Sequence, residues 1–193
     1  VHYSPNDKRN AITKAFEEEK YKTFVHDEAS FEAIAKGTWS SAEEGPSFRG
    51  GYRRYGASKL FLVMMMHELQ QRLDREASLN NICVLGVDPG SMISSLQRLS
   101  PWVIRVLIYK VIYPILVYFY PNGPIRPIRR SAFDVLEAAF GSSSAELPKD
   151  LYFDGTQPLE TSAESRDGQK RNLVWTETAR YAQLKKSDTI LGG

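Results

Sequence analysis

The chain has 193 residues, enough for one domain with a substantial core. Its 42% hydrophobic and 25% charged content is that of an ordinary globular protein, and a net charge of +2 gives no reason to expect nucleic acid as a partner. One cysteine, Cys83, excludes an internal disulfide; this suits a cytoplasmic protein, or one peripheral on an intracellular membrane, better than a secreted scaffold.

The first residue is Val1, and no charged-then-apolar leader follows it. Residues 1–54 are polar and irregular, with helices expected over Asn10–Phe24 and Glu28–Ala35. Glu17–Glu19 reads as a solvated helix face. Gly37–Gly51, with Pro46 and paired glycines, reads as a loop. A long helix is expected from Arg54 to Ala77, because Leu60, Val63, Met66, Leu69 and Leu73 recur at three- and four-residue spacing. Met64, Met65 and Met66 span several faces of it and read as core or dimer packing.

Ser78–Asn81 then turns into a strand over Ile82–Val87, apolar on both faces as a strand covered on both sides should be. Pro89-Gly90 ends it. A polar stretch to Ser100 leads to the very apolar Trp102–Tyr120, and Pro121-Asn-Gly-Pro124 breaks the chain. Ser131 and Asp134 read as a capping box for a helix that Gly141 closes. Leu151–Gly155 reads as a strand and turn, and Arg171–Leu184 as a helix. The alternation of helix and strand predicts the α/β class.

One constellation carries chemistry. Tyr55 and Lys59, four apart at the start of the long helix, fall on one face within side-chain reach. A phenol with a pKa of about 10 must gain about 4 kcal/mol of differential stabilisation to exchange protons near neutral pH. A cation ~5 Å away at an effective dielectric near 20 contributes about 3.3 kcal/mol. Such a phenol can give a proton to a carbonyl oxygen or take one from an alcohol. The same spacing is common on solvated helices. What singles this pair out is its setting: Gly56, Ala57 and Ser58 lie between the two residues, and the helix feeds a strand ending in Pro-Gly.

Tyr55-Gly-Ala-Ser-Lys59, then His67-Glu-Leu and Arg72-Leu, then Val84-Leu-Gly-Val-Asp-Pro-Gly90 together resemble the short-chain dehydrogenase/reductase family. The resemblance is strongest to its retinol-dehydrogenase-like branch, including many fungal members, and covers about residues 48–185. It implies a partial Rossmann-like doubly wound parallel sheet and an NAD or NADP cofactor. Tyr55 would be the catalytic acid/base, and Lys59 would tune it and bind the nicotinamide ribose. Pro89 and Gly90 would flank the nicotinamide, and Ser94 falls where the family often has a cofactor-contacting threonine.

Two departures stand out. None of the 13 glycines forms the Gly-rich turn that holds a pyrophosphate at a helix N-terminus. Val1-His2 resembles the segment just after the family's catalytic serine, which places that serine upstream of residue 1. The interval to Tyr55 is then long, implying an insertion at about 8–45; Ser41 is a weaker candidate for the serine. The chain reads as a single partial domain over 1–193, with an insertion-bearing segment at 1–50 and a substrate lid at 91–130. As the C-terminal part of an enzyme it is expected to be inactive alone.

Trp102–Tyr120 holds eleven Val, Ile, Leu or Phe residues, contributing about −5 kcal/mol toward membrane insertion, while Arg105 and Lys110 cost roughly 2.5–3.5 kcal/mol each. The sum is near zero, and Pro114 adds to the cost, so a transmembrane helix is not expected. Three roles remain: a lid over a bulky apolar carbonyl or alcohol substrate, a peripheral membrane contact with Arg126, Arg129 and Arg130 nearby, or packing on a preceding half. His67-Glu68-x-x-Gln71 lacks the second histidine of a zinc-protease helix, so no metal is expected. A non-catalytic interaction module is the competing class. A nucleotide-sugar epimerase would share the Tyr/Lys pair but need polar walls. A homodimer through the Tyr/Lys helix is a further expectation.

Overall fold

The computed structural model describes residues 14–40, 47–92, 102, 106–120, 125–141 and 147–191, and within them the architecture is mixed α/β with a small sheet. The chain divides into two compact units, Val1–Val84 with Glu160–Gly193, and Leu85–Leu159.

The first unit is built on helices. Helix α1 spans Glu28–Ala35, as its sequence predicts, behind a reciprocal cap in which Ser30 N donates to Asp27 Oδ1 and Asp27 N to Ser30 Oγ. The Ser30 backbone N–H holds the Asp27 carboxyl below its ordinary range. Helix α2, Phe48–Arg75, is 28 residues long and begins before the predicted Arg54. Ser47 starts it by accepting from Gly50 N at 3.0 Å. The paired glycines therefore lie in the first turn of a helix. At Gly50 a Cβ would lie 3.3 Å from the Ser40 carbonyl, so the close backbone approach favours glycine.

Helices α3, Tyr113–Phe119, and α4, Ile128–Phe140, belong to the second unit. The chain returns to the first unit with α5, Ala163–Arg166, and α6, Gly168–Tyr181, which pack on α2. Helix α6 starts ahead of the predicted Arg171 because Asp167 accepts from Gln169 N and Lys170 N.

The core of this unit corrects one expectation. Of the helix predicted over Asn10–Phe24, residues 10–13 lie outside the described residues. The rest is not an α-helix: Lys14 has a left-handed φ of 52°, Glu18 is extended, and only a 3-10 turn forms at Glu19–Tyr21. Phe16, Tyr21, Phe24 and Val25 are all buried, and their spacing spreads around half a helical wheel. A coiled segment buries all four against Ala57, Leu60 and Met64 of α2, Phe31 of α1 and Val174 of α6. Glu164 Oε1 accepts from the buried Phe24 and Val25 amides at 2.8 and 2.9 Å, satisfying backbone that no helix pairs. Glu17, Glu18 and Glu19 are exposed and face Lys14, Lys20 and Lys22.

In the second unit, strand β1 is Leu85–Asp88 rather than Ile82–Val87. Gln70 of α2 explains the shift. Its Nε2 donates to the Ile82 carbonyl and its Oε1 accepts from Val84 N, so these groups are occupied before the sheet begins. Leu85, Gly86 and Val87 are half-buried, short of the two-sided cover expected of them. Strand β2, Ser91–Met92, pairs in parallel with β3, Ile125–Arg126. Strand β4, Leu151–Asp154, lies parallel to β1 in the register Leu85↔Leu151 to Asp88↔Asp154. It turns through Gly155, at φ 63°, into the antiparallel β5, Gln157–Pro158.

Helix α4 begins at Ile128, so Ser131 and Asp134 are not its cap. Both are buried and turned to other work, described below. A π-helical turn, Leu107–Ile112, runs directly into α3, which carries Pro114 at its second position. Among the described residues no helix is long and apolar enough to cross a membrane.

Candidate active site

Helix α2 sorts the Tyr55–Lys59 segment by face. Ala57 and Leu60 are fully buried, and Gly56 lies so close under Phe16 that a Cβ there would come within 2.9 Å of its ring. That packing fixes the helix rotation and turns Tyr55, 47% exposed, outward with Ser58, while Lys59 is half-buried. The Lys59 ammonium lies 5.7 Å from the Tyr55 ring centroid. The two side chains predicted to share a face therefore do so. With the ring half open to water, the attraction is screened below the value for an enclosed pair.

Pro89 and Gly90 belong to the other unit, at the C-terminal end of β1. Gly90 adopts φ 74° and its N–H donates to Asp88 Oδ1 at 3.0 Å. A network that the sequence reading missed holds this turn. Ser131 Oγ donates to the Pro89 carbonyl at 2.7 Å. Arg126, buried, donates to the Asp88 carbonyl at 3.1 Å and to Asp154 Oδ1 at 2.7 Å, while Gly155 N donates to the same Asp88 carbonyl at 3.0 Å. Asp134, 1% exposed, faces Arg126 at 3.6 Å and Arg130 at 3.2 Å, held by charge rather than by aligned hydrogen bonds. The signal available in the sequence was Ser131-x-x-Asp134 itself, read there as a helix start. The true partner of Ser131, the Pro89 carbonyl, lies 42 residues back in the chain, beyond any local pattern, while Asp134 faces Arg130 and Arg126 just before it.

Ser94 and Ser41, and the Val1-His2 segment from which the upstream serine was inferred, lie outside the described residues. His67 Nε2 and Thr161 Oγ1 are 2.8 Å apart in the interior, and Glu68 pairs with Arg72 at 2.8 Å and faces Arg171 at 3.8 Å. These two residues of the incomplete zinc motif thus hold α2 to the segments around α5 and α6. Among the described residues no group of three His, Cys, Asp or Glu side chains could hold a metal ion.

The chain is 36% identical over 192 residues to the short-chain dehydrogenase iccH of Talaromyces variabilis, an alignment covering 97% of this chain and 53% of that protein. The chain therefore spans about half the length of the relative it matches. No protein-family model matches the chain, and no solved structure matches it. The relative supports membership of the short-chain dehydrogenase family, and the mixed α/β architecture with its parallel β1–β4 pair is consistent with part of that fold.

Proposed function

We propose that the chain belongs to an oxidoreductase that moves hydride between NAD or NADP and a carbonyl or alcohol carbon, with Tyr55 as the proton-transferring residue. The observation that carries this reading is the Tyr55–Lys59 pair, side by side on the exposed face of α2 with the ammonium 5.7 Å from the ring. Similarity to a protein named as a short-chain dehydrogenase supports it and does not favour a non-catalytic module.

A hydroxyl and an ammonium presented together suit the ribose and nicotinamide end of such a cofactor. The cofactor, when bound, supplies or accepts the hydride. In reduction the Tyr55 hydroxyl donates its proton to the substrate oxygen, and in oxidation the phenolate takes one back. Lys59 stabilises the phenolate and offers its remaining N–H donors to a ribose hydroxyl. Pro89 and Gly90, on a turn whose shape Arg126 and Ser131 maintain, would border the nicotinamide. The sheet is Rossmann-like, and the branch is the retinol-dehydrogenase-like one. The substrate is bulky and apolar, which the wealth of Ile and Tyr in 91–130 supports.

The test is Tyr55→Phe in the active enzyme. Turnover should fall by about 10²–10⁴, the usual contribution of a positioned proton donor, with cofactor affinity nearly unchanged. Retained turnover would remove Tyr55 from the reaction.

A further inference from the structure

Proline and glycine leave the peptide bond between them free to turn over. Pro89 fixes its own φ but not its ψ, and Gly90, lacking a Cβ, accepts positive and negative φ about equally. Two turns are therefore open to Pro89-Gly90, type I and type II, which differ by a flip of this one peptide. Gly90 stands at φ 74°, the type II value for the third residue of a turn. The two residues do not enforce that orientation by themselves; their partners do.

Ser131 Oγ donates to the Pro89 carbonyl at 2.7 Å, an optimal length for a hydroxyl donor, and Asp88 Oδ1 accepts from Gly90 N at 3.0 Å. The peptide is thus bonded at both ends. The Asp88 carbonyl before it accepts from Arg126 and from Gly155 N. A serine within a helix ordinarily bonds back to the preceding turn of that helix, whereas Ser131 of α4 reaches across to the end of β1. Ser131 and Asp88 are buried, while Pro89 and Gly90 are only half-buried. Both carbonyls are therefore engaged within the protein, and a flat ring resting on the turn meets the proline ring rather than either carbonyl oxygen.

We propose that Ser131 is a positioning residue, locking the Pro89–Gly90 peptide against that flip and so fixing the surface on which the nicotinamide would rest. This role depends on the oxidoreductase reading above. Being buried, Ser131 acts through Pro89 and not by touching the cofactor. In Ser131→Ala the peptide is released at its carbonyl end, and a flip would turn the Pro89 oxygen away from the interior. Alanine is the better helix former, so α4 itself should persist.

Calorimetric titration of the active enzyme and its Ser131→Ala variant tests this. The ligands are NADH, NADPH and two fragments without the nicotinamide, ADP-ribose and its 2′-phosphate. The variant should bind the whole cofactor about fivefold more weakly, the equivalent of one lost hydrogen bond. It should bind the matching fragment as tightly as the unaltered enzyme does, which also shows that it is folded. A merely structural serine would weaken cofactor and fragment alike, and that result overturns the proposal. If the unaltered enzyme binds neither NADH nor NADPH, the oxidoreductase reading falls and takes this role with it. If it binds one of them and Ser131→Ala binds it equally well, only the role of Ser131 falls.

Discussion

Gly56 shows how closely the Tyr55–Lys59 face depends on its buried reverse. An alanine in mid-helix ordinarily gains up to about 1 kcal/mol over glycine. Here its methyl would meet the Phe16 ring at 2.9 Å, and Phe16 is itself buried among Phe24, Tyr52 and the core of α2. Overpacking of that kind costs typically 1–3 kcal/mol, so the clash should outweigh the propensity gain. Gly56→Ala is expected to destabilise the chain by about 1 kcal/mol, and Phe16→Leu in the same chain should relieve much of that loss. Thermal or urea melts of the single and double variants measure this. Additive effects would mean that the ring moves aside freely.

Arg126 acts at the level of elements. From β3 it reaches the end of β1 through the Asp88 carbonyl, the end of β4 through Asp154, and α4 through Asp134. A buried cation among carboxylates contributes less net stability than its contacts suggest, but removing it takes from the buried Asp134 one of the two cations it faces, where full loss of compensation costs about 3–5 kcal/mol. Arg126→Gln should therefore destabilise the second unit by about 3 kcal/mol, read from urea denaturation. A loss below 1 kcal/mol would show that water or Arg130 replaces the guanidinium. The elements most legible beforehand were those with local signals: α1 with its Asp27–Ser30 cap, the β4 strand with its Gly155 turn, and the middle of α2 with its apolar period. Element ends moved where a side chain took over a backbone group. Gln70 delays β1, Ser47 advances α2 and Asp167 advances α6.

For the whole chain, the missing Gly-rich turn has a direct consequence. Backbone N–H groups at such a turn and the following helix N-terminus hold a dinucleotide pyrophosphate. Without one in its 193 residues, the chain by itself should bind NADPH more weakly than micromolar in a calorimetric titration. Micromolar binding would show that the pyrophosphate is held by some other means. The segment inferred as an insertion also looks different at this scale. Its described part is a wall of the first unit's core, supplying Phe16, Phe24, Val25 and Phe31, and so helps set the orientation of the Tyr55–Lys59 face.

The α/β alternation and the Tyr55–Lys59 pairing follow from sequence alone, because four-residue spacing on a strongly periodic helix is a local geometric fact. The turn of Pro89-Gly90, the roles of Arg126, Ser131 and Asp134, and the coil around Phe16 were decided only by tertiary structure. Burial of charge and of crowded aromatic rings depends on partners distant in the chain, which no short window of sequence contains.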